Sequence, residues 1–214
     1  VSLIVVSDDL TVRRAAAWAL KEIGGCAPKL AALVKVAGPA AQAQHVLTVY
    51  ELAGPADLGV VRAGATHADP SVRDAAAALL VRAKALVTPA ILREVLARSD
   101  PGLQLAALTV AKDLKIRDVA ADVLKAAEAA QDEDVVRIAC NYFRECPVPE
   151  ALPLLSRLYL SKARRFGLVK GRAAPTRVAA VEALRRLNTP EARKLIQQAQ
   201  GDGSETVRRA AKPT

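Results

Sequence analysis

A short pattern that returns in phase constrains this chain more than any other feature. Its clearest copy is Asp69-Pro70-Ser71-Val72-Arg73-Asp74-Ala75-Ala76-Ala77-Ala78-Leu79-Leu80. Near the start, Asp9-Leu10-Thr11-Val12-Arg13-Arg14-Ala15-Ala16-Ala17-Trp18-Ala19-Leu20 repeats it. Weaker copies begin at Asp100-Pro101-Gly102-Leu103-Gln104, Glu133-Asp134-Val135-Val136-Arg137, Pro175-Thr176-Arg177-Val178 and Glu205-Thr206-Val207-Arg208. With the arginine as a ruler, the copies fall at Arg13, Arg73, Gln104, Arg137, Arg177 and Arg208, and a degenerate copy at Ala43, within 39–50, divides the first gap. The steps are then 30, 30, 31, 33, 40 and 31 residues. One such period holds two helices of about three to four turns with short turns between them. A unit of that size buries its apolar face only against its neighbours, so the copies must stack.

The local chemistry agrees with helices. Asp9 and Asp69 stand where a carboxylate caps free N–H groups. Pro70 and Pro101 fall in the first turn, where a missing N–H is harmless. Val72, Ala75, Ala76, Leu79 and Ala83 form one stripe at helical spacing. Partner helices are predicted to start at Pro28, Pro55, Pro89, Ile116, Pro149 and Pro190. Aromatic residues make up 3% of the chain and methionine is absent, which argues against a β-sandwich or barrel. No apolar run approaches the roughly 20 residues that span a bilayer. Residues 1–6 read as the tail of a helix begun upstream, which suggests an excised or processed chain.

The pattern Asp-x-x-Val-Arg-x-x-Ala-x-x-x-Leu resembles the HEAT repeat family, including the bacterial HEAT-like repeats shared with phycobilin lyase subunits. The resemblance covers nearly the whole chain. It implies an all-α fold, a right-handed α-solenoid of about six hairpins with partial repeats at the ends, spanning 1–214 as a single domain. In that family the helix carrying Val-Arg lines a concave face, and its Asp and Arg form a hydrogen-bonded ladder between repeats. The resemblance implies this structural role for Asp9, Arg13, Asp69, Arg73, Arg137, Arg177 and Arg208. Gln104 and the second copy depart from the pattern, so the implied ladder breaks there.

Counted from Val72 on a helical wheel, the second, sixth and ninth positions point away from the core stripe. Aligned on the ruler, the second row is Arg14, Gln44, Asp74, Leu105, Ile138 and Val178. The sixth is Trp18, Thr48, Ala78, Thr109, Tyr142 and Glu182. The ninth is Lys21, Glu51, Val81, Lys112, Glu145 and Arg185. The resemblance implies that these rows line the concave surface. Trp18 and Tyr142 are candidate partner anchors there, because exposed aromatics often carry binding energy. The alternative is ordinary packing, with Trp18 covering an open end.

Charge is uneven. Residues 1–146 hold 17 basic and 17 acidic side chains and are neutral, while 147–214 hold 14 against 5 and carry the whole net charge of +9. The long step between Arg137 and Arg177 contains an insertion at about 161–173. In it Lys162, Arg164, Arg165, Lys170 and Arg172 surround Phe166 and Leu168, with no acid. Insertions in repeats map to loops that often carry function. This one suits an acidic protein surface, phosphates or anionic lipid, or is a solvated spacer.

Catalytic signals are weak. The two histidines, His45 and His67, belong to no metal or nucleophile motif, and Gly167 and Gly171 are too few for a phosphate cradle. Cys26, Cys140 and Cys146 match no metal or disulfide framework and read as buried free thiols of a reducing, cytoplasmic compartment. The expected function is therefore a non-enzymatic protein–protein interaction scaffold, without cofactor, metal or small-molecule substrate. Its candidate partner-binding residues are Arg14, Trp18, Lys21, Tyr142, Lys162, Arg164, Arg165, Phe166, Lys170, Arg172 and Arg185. Two alternatives stand beside it. One is nonspecific nucleic-acid binding through the basic third, as in DNA glycosylases of HEAT architecture. The other is a bilin lyase-like subunit.

Overall fold

The computed structural model describes residues 7–37, 39–55, 58–161 and 172–212. The fold is all-α: among the described residues there are thirteen α-helices, three short 3-10 turns and no strand. The helices are α1 (Leu10–Ile23), α2 (Ala27–Val36), α3 (Ala40–Ala53), α4 (Gly59–Ala65), α5 (Pro70–Arg82), α6 (Pro89–Leu96), α7 (Pro101–Asp113), α8 (Ala120–Ala129), α9 (Glu133–Glu145), α10 (Leu152–Leu160), α11 (Ala174–Leu187), α12 (Pro190–Ala199) and α13 (Glu205–Ala211). They divide into two compact units, Val1–Ile91 and Leu92–Thr214. The charge boundary at 146/147 thus falls inside the second unit. Residues 1–6, read above as a helix tail, lie outside the described residues.

The repeated aspartates start the helices. The Asp9 carboxylate accepts the Thr11 N–H at 2.7 Å, Asp69 that of Ser71 at 2.9 Å, and Asp100 that of Leu103 at 3.0 Å. Each satisfies a donor that has no partner within the helix. The cap of α9 is Asp132, which accepts from Asp134 and Val135 at 2.8 and 3.1 Å. The cap residues of the odd-numbered helices from α1 to α13 run Asp9, Pro39, Asp69, Asp100, Asp132, Ala173 and Ser204. They are 30, 30, 31, 32, 41 and 31 residues apart, so a single interval carries the insertion.

Packing follows this period. In the first unit α1 packs on α3, α3 on α5 and α2 on α4. In the second, α7 packs on α9, α9 on α11, α11 on α13 and α10 on α12. Ion pairs give the direction. Glu51 and Arg82, both in last turns, pair across α3 and α5. Thr176 Oγ1 donates to Glu133 at 2.6 Å where α11 and α9 begin, and Arg144 donates to Glu182 at 2.8 Å toward their ends. Within each unit the alternate helices joined in this way are therefore parallel, and the helix between them brings the chain back. The contact residues are small where helices come closest. A Cβ added to Gly64 of α4 would lie 2.9 Å from the Ala76 Cβ of α5. Val72, Ala76 and Leu79 of the predicted stripe are buried, whereas Ala75 and Ala83 are half-buried.

The ruler side chains act within a repeat. Arg13 donates to the Ser7 carbonyl at 2.6 Å, Arg73 to His67 at 2.9 Å, Gln104 to Arg98 at 2.7 Å and Arg208 to Asp202 at 2.7 Å. Each is the fourth residue after its cap, and each reaches the carbonyl six positions upstream. The Asp–Arg ladder between repeats is not among these bonds. Asp9 and Asp69 hold their own helix starts, and Arg13, Arg73 and Arg208 tie a helix to the turn that enters it. Gln104 keeps the tether because an amide N–H donates as a guanidinium does. Arg137 does not make it. With Asp132 as cap, the fourth residue is Val136, and Arg137 pairs with Asp134 at 2.7 Å instead. Arg177 does reach a neighbouring repeat, donating to the Tyr159 carbonyl at 3.0 Å and ion-pairing with Asp202.

Candidate interaction surface

Counted from the observed caps, the fifth, ninth and twelfth residues of the Val-Arg helices form three rows. The fifth-position row is Arg14, Gln44, Asp74, Leu105, Arg137, Val178 and Arg209. The ninth is Trp18, Thr48, Ala78, Thr109, Asn141 and Glu182, and the twelfth is Lys21, Glu51, Val81, Lys112, Arg144 and Arg185. Not one of these residues is buried. α3, α9 and α11, each packed on both sides by alternate helices, keep one open face, and these rows mark it.

On α9 the rows differ from the sequence expectation by one residue. Sequence alignment on Arg137 selected Ile138, Tyr142 and Glu145, whereas capping by Asp132 selects Arg137, Asn141 and Arg144. One residue turns a helix by about 100°, enough to exchange an open side chain for a buried one. Tyr142 is accordingly 0% exposed. Its hydroxyl donates to the Ile116 carbonyl at 2.7 Å, and its ring meets Phe143 edge-on with centroids 5.3 Å apart. Burial pushes the Tyr142 phenol well above its ordinary range. Tyr142 is thus a packing residue and not an exposed anchor, which corrects that expectation.

Trp18, by contrast, is 68% exposed on α1, with Arg14 and Lys21 exposed beside it on the same face. In the second unit, a groove of about 420 Å³ opens between α9, α11 and the start of α13. Arg137, Asn141, Ala174, Pro175, Val178, Ala179, Glu182 and Thr206 line it, and the lining is mostly apolar. Two rows meet there, the fifth positions Arg137 and Val178 and the ninth positions Asn141 and Glu182. The sequence reading missed Asn141. Recognising the first acid of the run Asp132-Glu133-Asp134 as the cap would have found it.

Lys162, Arg164, Arg165, Phe166 and Lys170 lie outside the described residues. Arg172, at the end of the insertion, is half-buried and pairs with Glu133 at 3.3 Å. Arg185 donates to the Ala210 carbonyl at 3.1 Å. His67 accepts the Asp69 N–H at 3.0 Å, a turn contact, and His45 lies 3.9 Å from the Asp8 carboxylate. Cys140 and Cys146 are buried, and burial pushes the Cys140 thiol up to about 12. Among the described residues no group of three or more His, Cys, Asp or Glu side chains is placed to hold a metal ion, and no helix is long and apolar enough to cross a membrane. Comparison with protein-family models and with curated proteins gives no match to this chain.

Proposed function

We propose that this chain is a HEAT-type α-solenoid that works as a non-enzymatic scaffold, holding a protein or peptide on the open face of its Val-Arg helices, on its basic final third, or on both. The observation that carries the reading is the unbroken openness of the fifth, ninth and twelfth positions. Apolar packing, capping and tethering use the other sides of these helices, and the three rows hold mixed polar and apolar side chains, some of them ion-paired to the neighbouring helix. The exposed Trp18 adds an anchor of the kind partners bury. In the second unit α7, α9 and α11 approach each other closely, while α8 and α10 are bridged by the long ion pair Arg157–Glu128 at 3.7 Å. A stack tighter on one side curves toward that side, which favours a concave placement of the open rows there.

Arg157, Arg172, Arg177, Arg185 and Arg208 all donate or ion-pair within the fold. That lowers the number of phosphates this region can neutralise. The concentration of +9 in 147–214 still favours nucleic acid as the second reading.

A pull-down from source lysate at low and high salt, with and without nuclease, tests the proposal. Protein partners that survive nuclease support it, and their loss at high salt assigns them to the basic third. Replacing Lys162, Arg164 and Arg165 together by Ala then weakens an acidic partner. Recovery of nucleic acid alone overturns the scaffold reading in favour of the second.

A further inference from the structure

The exposed side of α1 holds an aromatic side chain between two cations. Ala16, Ala17 and Leu20 form the buried side of this helix. Away from them Trp18 is 68% exposed, with Arg14 one turn before it and Lys21 one turn after it, both exposed. Among the described residues neither cation has a hydrogen-bond or ion-pair partner, and the indole N–H donates to none. Covering the indole removes a large apolar surface from water. Whatever covers it also meets two charges that the fold itself does not answer, and an opposite charge on the partner fits that edge.

Sign, extent and spacing select the occupant. Both charges that flank Trp18 are positive, so the partner carries acids. The positive stretch is only two charges long, because Asp8 before α1 and Glu22 on it are exposed acids at its two ends. A run of phosphates or a surface of anionic lipid continues past the two cations and meets these carboxylates, whereas a protein segment can place two acids and stop. Arg14 and Lys21 are seven residues apart, about 10.5 Å along the axis of α1. A second helix repeats that interval at its own positions i and i+7, with i+3 and i+4 between them on the same stripe. An extended strand brings side chains to one face every second residue, at about 6.6 or 13 Å. It also presents main-chain N–H and C=O groups to a helix whose own are already bonded. We infer that α1 docks an amphipathic helix of a partner protein, with an acidic side chain toward each of Arg14 and Lys21 and an apolar one on Trp18. This rests on the scaffold reading and names the partner chemistry at one part of its surface.

A phage-displayed library on an alanine–glutamine helix, randomised at i, i+3, i+4 and i+7 and selected on the immobilised full chain, supplies the probe. Winners are titrated as synthetic peptides locked in the helix by a side-chain lactam. The expected winners carry Asp or Glu at i and i+7 and an apolar residue at i+3 or i+4, and their binding moves Trp18 emission to the blue. Trp18→Ala weakens them about thirtyfold, as loss of a tryptophan hot spot does. Arg14→Glu with Lys21→Glu weakens them about tenfold. Peptides with Lys in place of both acids regain affinity for that double variant, a rescue that a damaged fold does not give. The inference is overturned by winners without the two acids, by equal binding to the reference and both variants, or by no winners at all. It is equally overturned if a single-stranded oligonucleotide or a phosphatidylserine vesicle occupies the Trp18 face more tightly than every selected helix. Protein partners from lysate that bind Trp18→Ala and the double variant undiminished refute this face and leave the scaffold reading standing; absence of any protein partner refutes the scaffold reading itself.

Discussion

Arg177 and Asp202 form an ion pair with both side chains out of water, at 8% and 1% exposure. They are 25 residues apart, on α11 and in the turn before α13. Arg177 also donates to the Tyr159 carbonyl of α10, and its guanidinium lies 5.9 Å from the centre of the Tyr159 ring. Asp202 in turn accepts the Ser204 N–H at 2.9 Å, at the cap of α13. One pair therefore joins three elements of the second unit. Each remaining donor or acceptor of the pair that meets a main-chain group reduces the penalty of burying charge.

Replacing Asp202 by Ala leaves the Arg177 guanidinium buried without its counter-charge. Stability is expected to fall by about 3 kcal/mol, in the range for breaking a buried pair. The double replacement Arg177→Met with Asp202→Ala is expected to cost less than the two single changes together, because no orphaned charge remains. Urea unfolding of the four proteins measures both. Additive losses would show that the two side chains act independently.

Tyr142→Phe removes the hydrogen bond to the Ile116 carbonyl and keeps the ring packing. A loss of about 1 kcal/mol is expected, with partner binding unchanged. Binding reduced at constant stability would restore Tyr142 to the interaction surface.

The Ser71 hydroxyl, and then the Ser71 N–H, hold the Asp69 carboxyl below its ordinary value of 3.8. A depressed carboxylate contributes its full stability above the ordinary value and loses it as pH falls through the lower, folded value. The melting temperature of Asp69→Asn is therefore expected to lie furthest below the reference near pH 6 and to converge with it in strong acid. A constant difference across pH would mean that the cap acts by geometry alone.

Trp18 is the one tryptophan of the chain, so its fluorescence reports on a single site. Its 68% exposure predicts emission typical of a water-facing indole and ready quenching by acrylamide. Trp18→Ala is expected to change stability by no more than about 0.5 kcal/mol, as at other surface positions. A blue shift on addition of the captured partner would place Trp18 in the contact. Unchanged emission at saturation would remove it.

What could be read from the sequence is what neighbouring residues decide among themselves. Asp69 caps α5 and Arg73 reaches back to the entering turn over a few positions, so one copy of the pattern contains both bonds. The in-phase recurrence of those copies likewise announced the alternation of helices, since a period near 30 residues admits little else. Tertiary structure decided the rest. Asp132, Glu133 and Asp134 all have the chemistry of a cap, and nothing in that run alone says which one serves. The packed position of α9 chose Asp132, and the resulting turn of about 100° sent Tyr142 inward and left Asn141 at the groove. Arg177 met Asp202 only because α12 carries the chain back past α11. Local capping depends on covalent spacing, which a sequence displays; the facing of side chains from separate helices depends on packing, which the sequence determines only through the whole fold.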